Sequence, residues 1–165
     1  MRQILEKTAA TWALVGGVIL LAIVLVTAFN VSAFTLDRLA RFFGTTVSGL
    51  PGYEDFVRLA ISVAGLMFFP YCQLRRGHVT VDLFSRSFPL PMQKALDVLW
   101  LACMAGVAAF LAWYMVGGMN EAREDRTVSA VLGWPEWPFY APGIVSVALW
   151  ALIAAYQIFG ETRDG

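Results

Sequence analysis

Long apolar stretches alternate with short polar ones along this chain, and charge is confined to the ends of the apolar ones. The first, Trp12 to Phe34, contains no Asp, Glu, Lys or Arg. A second runs from about Glu54 to Gln73 with charge only at its start, and a third covers Gln93–Gly118, uncharged from Val98 onward. The fourth, Trp137–Gly160, has no charge. About 20 apolar residues at a rise of about 1.5 Å each cross the hydrocarbon core of a bilayer, and all four stretches reach that length. None shows the strict alternation of a barrel strand, and a spanning backbone must satisfy its own hydrogen bonds, so helices are expected. The pattern therefore predicts an all-α integral membrane protein. It has four transmembrane helices (12–34, 54–73, 93–118 and 137–160) in a single membrane domain over 1–165, with short interfacial helices in the loops. The first run exceeds the usual core of a cleaved signal, and no small-x-small cleavage site stands out after it, so it reads as a retained helix.

The connections have their own patterning. Between spans one and two, Phe34, Leu36, Leu39, Phe42 and Phe43 alternate with Asp37, Arg38 and Arg41 in a helical rhythm. That fits an interfacial helix or an extension of span one, broken by Gly44, Gly49 and Pro51-Gly52. In the loop 78–90, Val79, Leu83, Phe84 and Phe88 could dip into the interface while Asp82 and Arg86, four apart, face water. Pro89 and Pro91 end it. Before span four, Gly133–Tyr140 carries Trp134, Trp137 and Tyr140, an aromatic belt by composition. Docking of a partner is the sharper reading of the same residues. Pro138 suits a first helical turn, and Pro142 a bend just beyond.

Composition agrees with a membrane location: 59% of residues are hydrophobic and 15% charged, where a soluble domain carries about 25% charged. Twelve basic residues balance twelve acidic ones, so nothing calls for a nucleic-acid partner. Basic residues set the orientation. Arg2, Lys7, Arg75, Arg76, Arg86, Lys94 and Arg163 lie on the side shared by the termini, against Arg38, Arg41, Arg123 and Arg126 opposite. Both termini are thus expected in the cytoplasm.

Candidate chemistry in the spans is sparse. Ionisable residues within a bilayer mark transport or proton paths, yet spans one and four have none, and span three has Asp97 only near its start. Glu54, Asp55 and Arg58 crowd the beginning of span two. Arg58 could pair with Glu54 four residues before it, snorkel, or meet an acid or carbonyl on another subunit. One histidine, His78, excludes a di-haem cytochrome, which needs about four axial ligands. Cys72 and Cys103 have neither redox nor zinc spacing. The first span lacks the embedded Glu on which small multidrug exporters depend, and no hydrolase triad can be placed. Ala13/Gly17, Ala102/Gly106 and Ala105/Ala109 are small residues four apart that permit close helix approach.

The segment Gln73-Leu74-Arg75-Arg76-Gly77-His78-Val79-Thr80-Val81-Asp82-Leu83-Phe84 resembles the signature of the small (DctQ-type) membrane subunit of tripartite ATP-independent periplasmic (TRAP) transporters. Gly77, His78, Val81 and Asp82 fall on that family's turn after the second helix. Glu54 opening that helix, the small residue Gly65 within it and the Trp134–Tyr140 approach to the fourth are similar too. The resemblance covers essentially the whole chain and implies a non-catalytic subunit of the bacterial inner membrane. It would scaffold a larger subunit that moves ion and substrate, driven usually by sodium. A periplasmic binding protein would deliver an organic acid such as a C4-dicarboxylate. No cofactor is implied. His78 and Asp82 would shape the loop–helix junction through hydrogen bonds. Arg75 and Arg76 would fix topology and touch lipid headgroups, or else the partner, as would Glu54, Arg58, Trp134 and Trp137. The rival readings are a self-sufficient small carrier or channel acting as a homo-oligomer, and a membrane enzyme.

Overall fold

The computed structural model describes residues 2–75 and 89–163, and within them the chain is helical with no strand longer than an isolated bridge. Helix α1 (Arg2–Ala40) runs unbroken and passes into a 3-10 turn, Arg41–Phe43. The charged rhythm after Phe34 is thus an extension of the first span. Gly44 stops it by turning left-handed (φ 74°), so its N–H reaches Arg41 O at 3.2 Å and that of Thr45 reaches Ala40 O at 3.1 Å. Ala9, Gly16, Ile23 and Asn30 are all buried. They recur every seven residues, a spacing that keeps one seam of a helix against a neighbour. A Cβ on Gly16 would lie 3.0 Å from the Met67 Cβ and 3.3 Å from Ala64 O, so this seam presses closely on the second crossing.

That second crossing is two helices, α2 (Tyr53–Met67) and α3 (Phe69–Leu74). The sequence pattern leads one to expect a continuous span, and Pro70 is the reason for the break. Proline has no N–H to offer Leu66 O, and its ring crowds the preceding turn. The chain tightens at Phe68, whose N–H reaches back to Gly65 O at 3.4 Å, and resumes with Cys72 N bonded to Phe68 O at 2.9 Å.

Helix α4 (Leu90–Glu124) starts behind Pro89, with Pro91 in its first turn, where a missing N–H costs nothing. It ends in a short hairpin held by Ser129 N to Trp134 O (2.8 Å) and Glu136 N to Thr127 O (3.1 Å). A 3-10 turn, Trp137–Phe139, places Pro138 within it and leads into α5 (Tyr140–Arg163).

The packing order is α1, then α2–α3, then α5, then α4. Helix α4 lies along α5, α5 also meets α2 and α3, and α1 rests on α2 and α3. A closed four-helix bundle would need α1 to pack along α4 as well; among the described residues it does not, so the helices form an open row. One core cluster, between α4 and α5, is Ala108, Val147 and Trp150, with Leu66, Met104, Ala112, Met115 and Ala151 against it. Three helices converge at Gly143, where a Cβ would meet Met115 Cε at 2.5 Å and Leu66 Cδ1 at 3.0 Å.

The paired small residues do different work from that expected. Gly17 and Gly106 have nothing within 4 Å of where a Cβ would be, while Gly16, one position away, makes the close approach. Ala105 and Ala109 line an open apolar groove of about 650 Å³ between α4 and α5, together with Ala112, Ala148, Ala151 and Ala155.

Candidate functional site

The α1–α2 and α4–α5 connections meet at one end of the row, and polar side chains from the helices fasten them. The buried positions of α2 are Asp55, Leu59, Ala60, Val63, Ala64 and Met67, so Asp55 shares the phase of the apolar stripe while Glu54 and Arg58 do not. Asp55 Oδ2 accepts the Val131 and Leu132 N–H groups, at 2.7 and 3.0 Å, and thereby caps the hairpin tip. Gly52, left-handed at φ 76°, passes so close to Leu132 that a Cβ there would lie 2.6 Å from its Cγ. On α1, Asn30 and Asp37 hold the other connection: Asn30 Oδ1 accepts Leu50 N–H at 2.7 Å, and Asp37 Oδ1 accepts Val47 N–H at 2.9 Å. Asn30 is fully buried, and Gly49 must lack a side chain because a Cβ would stand 2.3 Å from Asn30 Oδ1.

Arg58 ends its side chain at the carboxylate of Glu136, donating from Nη2 to Oε1. The two line an open cavity of about 280 Å³ whose remaining walls are Leu59, Ser62, Leu66, Met115, Phe139 and Tyr140. Arg123 lies over the Trp137 ring at 5.5 Å, and Trp134 stacks on Phe139 at 6.4 Å between centroids. The proline- and aromatic-rich segment is thus fastened to the chain's own helices as well as exposed.

Deeper in the row, Trp12 Nε1 donates to Ser146 Oγ at 2.8 Å, and Ser146 Oγ to Pro142 O at 2.7 Å. Towards the terminus-bearing end, Trp150 Nε1 donates to Gln73 Oε1 (3.0 Å), Gln73 Nε2 to Gln157 Oε1 (2.7 Å), and Gln157 Nε2 to Gln73 O (3.1 Å). Phe69 stacks on Trp150 at 5.0 Å. Among the described residues, no three His, Cys, Asp or Glu side chains gather as a metal site would require. Residues 30–164 of the chain match the family model described as Tripartite ATP-independent periplasmic transporters, DctQ component. The chain belongs to this family. No curated protein and no solved structure matches it.

As a DctQ component, the chain is part of a transporter that works with membrane and periplasmic partners. The match begins at Asn30, the buried residue that fastens the first connection. Of the residues singled out in the sequence, Arg76, Gly77, His78, Val81 and Asp82 lie outside the described residues, as does the amphipathic stretch 78–88. Arg75 is exposed, with its guanidinium 5.4 Å from the Tyr71 ring centroid and Nε bonded to Tyr71 Oη at 3.2 Å. Glu54 is exposed, and Arg58 turns away from it to a residue 78 positions distant. Trp134 stacks on Phe139 and Trp137 lies under Arg123, near the hairpin, whereas Arg75 is at the other end of the row.

Asp55 stood out in the sequence only as a charge at the start of span two, without a role, and Glu136, Gln73, Gln157 and the Trp12–Ser146 pair had none either. A signal existed for most of them. Gln73, Ser146 and Asp55 occupy the buried phase of their helices, where a polar residue requires a partner. Glu136, in an irregular loop, offered no such phase.

Proposed function

We propose that this chain is the non-catalytic small permease subunit of a TRAP-type secondary transporter. It forms a single membrane domain that holds in place a larger subunit, which moves sodium and substrate. The substrates are organic acids, C4-dicarboxylates among them, handed over by a periplasmic binding protein. The chain lies in the bacterial inner membrane with both termini in the cytoplasm, as its Lys and Arg distribution favours. The carrying observation is how its interior polarity is spent. Trp12 with Ser146, Trp150 with Gln73 and Gln157, and Asp55 with the hairpin each join one part of this chain to another. Side chains that lock helices together suit a static scaffold better than a moving path. In this reading the turn at Gly77, His78, Val81 and Asp82 shapes a junction for assembly. Arg75, Arg76, Glu54, Arg58, Trp134 and Trp137 contribute contacts to lipid or partner.

Co-expression with the larger subunit and uptake in proteoliposomes test the proposal. Organic-acid uptake should require both chains and the binding protein, and a sodium gradient should drive it. Flux through liposomes holding this chain alone would replace the scaffold with a homo-oligomeric carrier. His78→Ala should lower the yield of the complex while leaving substrate KM unchanged in whatever complex forms.

A further inference from the structure

The cavity between α2, α4 and α5 joins two kinds of surface. Arg58, Glu136, Ser62 and Tyr140 are the polar residues of its lining, the Ser62 hydroxyl donating to Arg58 O at 3.1 Å; Leu59, Leu66, Met115 and Phe139 are the apolar ones. Arg58 lies in the second turn of α2, and Glu136 just before the 3-10 turn that opens the fourth crossing. Both therefore stand at the start of their crossings, the end of a span that faces headgroups when the apolar length fills the hydrocarbon core. Arg58 uses Nη2 for Glu136 and keeps further N–H donors, its side chain 58% exposed. Glu136 receives that bond on Oε1 and has a second oxygen to offer.

We infer that this cavity binds the headgroup of an aminophospholipid, a phosphodiester carrying a primary ammonium. The phosphate takes the open edge of the Arg58 guanidinium, a charge-assisted contact that arginine makes well. The ammonium donates to the second oxygen of Glu136, closing a ring of alternating charge without breaking the existing ion pair. The first carbons of an acyl chain lie on Leu59, Leu66, Met115 and Phe139. A quaternary choline has no N–H to donate to Glu136, and a glycerol headgroup brings no cation, so the arrangement selects for the primary amine.

The test uses the full chain purified in detergent and native mass spectrometry. Dioleoyl phosphatidylethanolamine, phosphatidylcholine and phosphatidylglycerol are added separately at equal concentration, with soluble phosphoethanolamine as a further arm. Wild-type protein should retain the ethanolamine lipid several-fold over the other two, and phosphoethanolamine should compete with it. Glu136→Gln should abolish the preference over the choline lipid, and Arg58→Gln should lower retention of every phospholipid. Ser62→Phe, which fills the cavity and leaves the ion pair intact, should remove the preference even if a charge variant misfolds. Equal retention of all three lipids, or a preference that survives Ser62→Phe and Glu136→Gln, overturns the site. Equal retention of the ethanolamine and glycerol lipids overturns the role given to Glu136. The site needs only the membrane location of the chain. Its failure would leave the scaffold reading standing, and failure of the chain to join a larger subunit would leave the lipid site standing.

Discussion

The two outer helices and the two inner crossings are built from the same apolar alphabet, yet the fold uses them differently. In the most apolar 18-residue stretch of α1, 11% of residues are buried against the rest of the chain, and the figure for α4 is the same. For α2–α3 it is 39%, and for α5 33%. The most apolar crossing of the four is thus among the least buried. In water such a difference would mark α1 as misfolded. In a membrane, hydrocarbon solvates Leu and Val as readily as another helix does, so apolar content no longer reports packing. What distinguishes the inner crossings is that each has a neighbour on two sides, with Gly143, Ser146, Gln73 and Trp150 at those contacts, whereas α1 meets its neighbours along the single seam that holds Gly16 and Asn30.

Substitutions can be ranked by how hard they press on that contrast. Trp150→Ala removes the stacked ring on Phe69, the donor to Gln73 and a member of the core, and should cost about 3–5 kcal/mol in a reversible unfolding titration in mixed micelles. Gly143→Ala places a methyl against Met115 and Leu66 and should cost about 1–3 kcal/mol. Met115→Ala in the same chain should recover part of that loss, and an equal loss in the double variant would mean that the three-helix contact is misplaced. Gln73→Leu leaves Trp150 Nε1 and Gln157 without their partner and should cost about 0.5–2 kcal/mol. Smallest is the effect of Leu14→Ala or Val18→Ala on the outward side of α1, within about 0.5 kcal/mol for the isolated chain. A loss as large as that of Gln73→Leu at either position would erase the contrast between outer and inner helices.

The four crossings were legible because charge exclusion and helical period survive in any environment, and the helical rhythm past Phe34 was too, though it left an interfacial helix and an extension of span one equally open. The break at Phe68 was legible in principle, since Pro70 lies in an otherwise continuous apolar run. The order of helices in the row was not. With lipid and protein equally welcoming to apolar faces, hydrophobic phase could not say which face of α1 or α4 was buried. The candidate site was legible in part. Arg58 drew notice as a charge in a span, but its partner Glu136 lies 78 residues away in a loop without periodicity. Glu54, four residues before it, was the natural choice by spacing, yet the ion pair that Arg58 makes is with Glu136. Asp55 beside it could have been separated from Glu54 by phase, because only Asp55 stands four residues before Leu59 and eight before Val63 on the buried stripe.

The unbroken length of α1 has a mechanical consequence. Its 39 residues extend about 58 Å, roughly twice the thickness of a hydrocarbon core. Even its charge-free part, residues 12–34, is a little longer than that core. A helix longer than the film it crosses leans or protrudes, and it leans more as the film thins. Because the seam at Ala9, Gly16, Ile23 and Asn30 binds α1 to its neighbours, the lean passes to the whole row. Any tilt that α1 takes is therefore a tilt of the whole row, governed by how the helices pack on one another.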